Sequence, residues 1–128
     1  MKKQILLYNI KDKKRELDIR KVLMPLRIPI KMIPNEDFSH PLGYLIGLEE
    51  SKPSEQSAND YQFDDEMMVM AGFTGYDIDQ VIRGFHKRRI ATIPLKAILT
   101  PHNQDWNSYK LYENLKEEHE KMSKETNS

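Results

Sequence analysis

At 128 residues the chain has the size of one domain, long enough to bury a core. It has no cysteine, which excludes disulfides, thiol catalysis and cysteine-ligated metals, and fits a reducing cytoplasm. Net charge is zero but unevenly spread: residues 1–31 hold ten basic groups against three acidic (+7), residues 32–66 one against nine (−8), and residues 67–128 nine against eight (+1).

Ile5–Ile10 is a compact apolar run with the length of a buried strand. It follows a basic start, but stops where a signal peptide would continue. No apolar run approaches the roughly 18–20 residues of a membrane span. Asp12 can cap a helix whose stripe is Ile19, Val22, Leu23 and Leu26, ending or kinking just before Pro25. Ile28 to Ile33 alternates as a second strand, stopped by Pro34. Ser39 to Glu50 reads as a short amphipathic helix, with Ser39 as cap and Gly43 and Gly47 opposing it. Ser51 to Asp60 is polar enough for a flexible linker.

Met67–Ala71 is a third strand, and Gly72-Phe-Thr-Gly75 the turn out of it. Thr74 can cap the next helix, with stripe Ile78, Val81, Ile82 and Phe85 and the cations Lys87, Arg88 and Arg89 at its C-terminus. Ile93 to Leu99 is the fourth strand. A last helix runs from about Asn107 to Met122, with Leu111, Tyr112, Leu115, His119 and Met122 on one face.

The order is strand, helix, strand, helix, twice. Both halves carry an Ile-Pro-(Ile/Leu)-Lys signature, at Ile28–Lys31 and Ile93–Lys96, and Phe38 roughly answers Trp106. This reads as an internal duplication of a βαβα unit in a single domain. The halves span 4–50 and 66–122, joined by a linker at 51–63 and followed by a frayed tail at 123–128. The expected fold is α+β: split βαβ units interlocked as a ferredoxin-like four-stranded antiparallel sheet, with helices on one face and an extra helix after each half. The alternative is a small parallel α/β sheet covered on both faces. Polar residues in the strands (Tyr8, Asn9, Lys31, Lys96) favour the first, since doubly buried parallel strands are more uniformly apolar.

The C-terminal half resembles the DUF3783 family, a bacterial domain of unknown function. The resemblance is carried by Met68-Val-Met-Ala-Gly-Phe73, by Ile93-Pro-Leu-Lys-Ala-Ile-Leu-Thr-Pro-His-Asn-Gln104 with Trp106, and by Leu111-Tyr-Glu-Asn-Leu-Lys-Glu-Glu-His119, over about residues 66 to 120. It implies no activity.

The densest polar segment is Thr100 to Trp106. His102 titrates near neutrality when unperturbed, Asn103, Gln104 and Asp105 can hold a polar ligand, and Trp106 can stack on a ring. Against this, Pro101 ends a strand, and Asn or Asp after a strand commonly caps the next helix. In the antiparallel arrangement His102 and His40 fall at opposite ends of the sheet, about 15–20 Å apart, and cannot share a ligand. The four histidines show no metal-ligand spacing, so no metal is expected. Gly72–Gly75 lacks the residues of a phosphate loop, and the expected central strands carry no RNP aromatics. Met67, Met68 and Met70 would offer a self-association face if one side of the sheet were bare.

The expectation is therefore a non-catalytic cytoplasmic module that binds a small ligand or a protein as a homodimer, with no cofactor, no membrane and no nucleic acid. The candidate ligand contacts are His102, Asn103, Gln104, Asp105 and Trp106, and no catalytic residue is assigned. One alternative is a small enzyme with His102 as acid or base; the other is an RNA-binding module.

Overall fold

A computed structural model describes residues 2–55 and 62–126. In chain order the elements are β1 (Gln4–Tyr8), α1 (Lys13–Leu23), β2 (Ile30–Ile33), α2 (Leu42–Leu45), β3 (Met67–Ala71), α3 (Gly75–Lys87), β4 (Leu95–Ile98) and α4 (Ser108–Thr126).

Local chemistry sets most of the boundaries. Asp12 accepts the Arg15 N–H at 2.9 Å and opens α1. Pro25 falls in a 3-10 turn, Met24–Leu26, that ends at Arg27 with φ 57°. Only one turn of the expected helix at 39–50 forms. It has no side-chain cap, so Ser39 does not play that role, and Gly47 at φ 85° closes it. Thr74 and Asp77 form a reciprocal capping box on α3. The Asn107 side chain accepts the Lys110 N–H at 2.9 Å at the start of α4.

The sheet order is β2-β1-β3-β4. The outer pairs, β1 with β2 and β3 with β4, are parallel; the central pair, β1 with β3, is antiparallel, with Leu6 opposite Val69. This overturns the ferredoxin-like antiparallel sheet. Each βαβ unit is closed on itself instead of split, and the two units lie side by side running in opposite directions. It is not the all-parallel alternative either. Helices cover both faces: α1 and α3 one, α2 and α4 the other.

The polar strand residues that favoured an antiparallel sheet are accommodated differently. Tyr8 is fully buried, and its hydroxyl meets Ser108 Oγ at 2.8 Å. Asn9 lies just past β1 at φ 62° and donates to the Phe63 and Asp65 carbonyls at 2.9 and 3.0 Å. Lys31 and Lys96 sit on the two edge strands, where they can reach carbonyls: Leu45 O at 2.9 Å and Ile93 O at 2.8 Å. Polar groups on edges and ends therefore do not disfavour parallel pairing.

The shared Ile-Pro signature is read on opposite faces. Ile28 and Ile93 both pack under α1 and α3. In the first half, Ile30 stays on that face and Lys31 pairs with Leu6 on the other. In the second half a bend at Pro94 shifts the alternation by one, so Leu95 joins the α4 face and Lys96 pairs with Met68 on the α3 face. Phe38 and Trp106 differ too: Phe38 is fully buried, Trp106 only partly.

Met67, Met68 and Met70 are buried (0, 0 and 3% exposed) and form core, so the condition set for a self-association face is not met there. One further expectation changes. Phe63, placed at the end of the linker, is core: it stacks on Phe38 at 4.9 Å and on Tyr112 at 4.1 Å. Residues 56–61, the middle of the expected linker, lie outside the described residues, as do 127 and 128 at the end of the expected tail. α4 itself continues to Thr126, into that tail.

Candidate functional site

Residues 100–106 form a self-bonded turn. The Asn103 and Gln104 N–H groups both donate to Thr100 O, at 3.2 and 3.0 Å, and the Trp106 N–H donates to Asn103 O at 3.0 Å. The Asn103 side chain is spent on the backbone: Oδ1 accepts the Thr100 N–H at 2.9 Å and Nδ2 donates to Ile98 O at 3.0 Å. His102 is exposed, its ring edge-on to Trp106 at 5.4 Å. Trp106 half-buries against the core, with Lys110 Nζ 4.7 Å from its ring. Asp105 is exposed, and Gln104 contributes its carbonyl to the neighbouring loop. The sequence brings these five residues together, but the turn uses the Asn103 side chain for its own architecture.

The loops after β2 and β4 do meet. They leave opposite ends of the sheet, then run back across one face and pair. Leu42 N–H donates to Trp106 O, Gly43 N–H to Gln104 O and Ser108 N–H to Phe38 O, at 2.8, 2.8 and 3.0 Å. Pro41 and Asn107 bridge antiparallel beside them. The expected separation of the two loops is therefore wrong at the backbone. The histidines still have separate partners. His40 Nδ1 accepts the Ser54 N–H at 3.0 Å, Nε2 lies 3.8 Å from Asp37, and its ring packs on Tyr44.

The α3 N-terminus is closed by its own chain. Asp77 Oδ2 accepts from Thr74 N and Thr74 Oγ1 at 2.8 and 2.9 Å, while Oδ1 pairs with Lys3 at 2.8 Å. An anion arriving there would compete with a resident carboxylate. Tyr8, the one aromatic of the expected RNA-facing strands, is buried in the core and cannot stack on a base. Among the described residues no group of three or more His, Asp or Glu side chains is placed to hold a metal, and no helix is long and apolar enough to cross a membrane.

Two concave regions were not read from the sequence. One, of about 310 Å³, opens at the start of β3 and is lined by Asp65, Glu66, Pro94, Leu95, Lys116 and His119. Its charged groups are mutually engaged. Arg15 forks onto Glu66 with Nε and Nη2, at 2.8 Å for the closer contact. Asp65 accepts from the Tyr112 hydroxyl at 2.8 Å and from Lys116 at 3.2 Å, and these bonds, Tyr112 first, hold its carboxyl below the ordinary range. The Asp65 carboxylate is therefore not set up as a proton donor near neutrality. The available signal was the acidic run Asp64-Asp65-Glu66 before a strand, together with Tyr112 and Lys116 one turn apart on α4.

The larger region, about 660 Å³, is a groove on the outer side of α1 and α3. Val22, Pro25 and Leu26 line it from the first half, and Ile82 and Gly84 from α3. Arg83, Lys87 and Arg88 form a basic rim. Two features place the groove. Gly84 lets the helices approach, since a Cβ there would lie 2.8 Å from Val22 Cγ1. Ile82, expected in the core stripe, faces outward and is 47% exposed. Val81 and Phe85 take the core side alone, with Ile78 partly buried. Met24 at the end of α1 is 67% exposed.

No curated protein and no solved structure matches the chain. Residues 66–122, from the last residue before β3 through most of α4, match the family model described as Domain of unknown function (DUF3783).

Proposed function

We propose that the chain is a non-catalytic, cytoplasmic protein-binding module whose contact surface is the groove between α1 and α3. One observation carries this reading: an apolar floor with an outward-facing isoleucine, Ile82, on a helix whose partner side is already satisfied by Val81 and Phe85. A side chain of that kind gains by being covered. The turn at 100–106 does not support the enzyme reading as well, because its amide is committed to backbone and its imidazole to an indole edge.

The test is selection of peptides from a random displayed library on the wild-type chain, followed by binding to Ile82→Gln. Ile82 is outside the core, so the variant keeps its circular dichroism spectrum and thermal midpoint. Selected peptides should lose most of their affinity for Ile82→Gln. Peptides that bind both proteins equally well would place the contact elsewhere and sink the reading.

A further inference from the structure

The groove also constrains what fills it, an inference that rests on the protein-binding reading. We propose that its occupant is an acidic, amphipathic helical segment of a partner protein. The floor and the rim specify the two halves of that description. Leu26, Ile82 and Gly84 offer an apolar surface above the buried Val22. On the α3 side, Arg83, Lys87 and Arg88 line its border. Arg83 already has a carboxylate partner, Asp79, at 2.8 Å. Lys87 and Arg88 extend past it as exposed cations, and α1 brings Arg20 and Lys21 into its last turn. Glu16 takes up Arg20 at 3.4 Å, leaving Lys21 exposed on the same helix.

The C-terminal dipole of α3 accounts for cations at that end of the helix. It does not account for apolar side chains left outward between them. The combination fits a ligand that is apolar on one stripe and acidic on its flanks. The ligand should also be helical. The walls are α3 and the end of α1 with the turn after it, so the groove has no strand edge to pair with an extended peptide. A partner with its own backbone satisfied loses nothing there. The α3 side of the groove runs from Gln80 to Arg88, about 12 Å at 1.5 Å per residue, so roughly two to three turns of partner helix would fill it. A nucleic acid would match the rim and leave the apolar floor uncovered.

The test uses a labelled synthetic helix of about 14 residues, with leucines at i, i+3, i+4 and i+7 and glutamates on both flanks, followed by fluorescence anisotropy. Three comparisons accompany it: lysine in place of every glutamate, a scramble of the same composition without the stripe, and the acidic helix against Ile82→Gln and Lys87→Glu/Arg88→Glu. The proposal expects binding that weakens at least about tenfold in every comparison, and that weakens further between about 50 and 300 mM salt. Equal binding of the scramble or of the lysine peptide overturns it. So does absence of binding up to about millimolar peptide, or binding of single-stranded RNA or phosphatidylglycerol vesicles that depends on Lys87 and Arg88 while the peptide fails. Groove-dependent peptides from the displayed library that are not acidic would overturn this inference and leave the protein-binding reading standing.

Discussion

Asn103 Nδ2 closes on the Ile98 carbonyl at 3.0 Å from the open side of the sheet. Leu99 N–H donates to Met70 O, so odd-numbered residues of β4 face β3, and Lys96 and Ile98 turn their backbone groups outward. β4 is an edge strand, and an unpaired edge is a template for another chain. The turn that looked like a ligand site covers one of the few acceptors that edge exposes. Asn103→Ala should therefore do two things. It should cost about 1 kcal/mol through the two lost backbone bonds, and it should raise self-association measured by sedimentation velocity. A variant destabilised to that degree with unchanged sedimentation would leave the turn as a plain cap, with no role in guarding the edge.

His102→Ala and Asp105→Ala separate a site from a scaffold in the same turn. Both residues are exposed. Surface substitutions of that kind stay within about 0.5 kcal/mol. Equilibrium urea unfolding should place both near wild type and Asn103→Ala below them. A loss of more than 1 kcal/mol in His102→Ala would mean that its contact with Trp106 carries more than the geometry indicates.

The Tyr8–Ser108 pair ties the end of β1 to the first turn of α4. Both residues are fully buried, their oxygens are 2.8 Å apart, and burial pushes the Tyr8 hydroxyl's pKa up. Tyr8→Phe leaves the Ser108 hydroxyl short of a partner and should cost about 1–2 kcal/mol. Ser108→Ala should cost about as much by stranding the phenol. The double variant should cost less than the two added together, because no buried polar group is then orphaned. Strict additivity in chemical unfolding would show that the two hydroxyls do not depend on each other.

Much of this architecture was legible where it depends on neighbours in sequence. Asp12 and Thr74 cap as their types predict, Pro25 ends α1, and Met67–Ala71 is a strand over the expected residues. What could not be read is how elements pair. Tyr8, Asn9, Lys31 and Lys96 looked like evidence against parallel strands. The first three find partners that only the tertiary fold supplies, Ser108, the Phe63 and Asp65 carbonyls, and Leu45 O, while Lys96 reaches back locally to Ile93 O across the Pro94 bend. The helical stripe misassigned Ile82 for a related reason. Periodicity marks an apolar face without saying how wide a strip of it the sheet covers. The cleft at Asp65 and Glu66 brings the residues before β3 together with the start of β4, with α4 and with Arg15 of α1, a meeting that no local pattern encodes.

Asp77 gives the chain an acid-sensitive joint. Its carboxylate accepts from Lys3 and from Thr74, which hold its pKa down to about 2, against 3.8 for a free side chain. A carboxyl with a depressed folded pKa stabilises fully above its unfolded pKa, and that contribution is lost as pH falls through the folded one. Stability should therefore decline between about pH 4 and pH 2. Asp77→Asn should be less stable at pH 7 and should lack that part of the decline. Parallel stability–pH curves for wild type and variant over this window would place the acid sensitivity elsewhere.

Gly84 tests how closely α1 and α3 must approach. A Cβ at this position would sit 2.8 Å from Val22 Cγ1, and Val22 is 2% exposed with little room to turn. In an open helix, Gly→Ala gains about 1 kcal/mol. Here overpacking should outweigh that gain and leave Gly84→Ala destabilised by about 1–2 kcal/mol. Val22→Ala alone opens a cavity and should also destabilise. Placed together, the new methyl enters the space that the valine vacated, so the double variant should be more stable than the sum of the single effects predicts. Thermal or urea unfolding of the four proteins reads this as a coupling energy. Additive costs, or a Gly84→Ala variant more stable than wild type, would show that the helices can move apart and that the floor of the groove is not held by this contact.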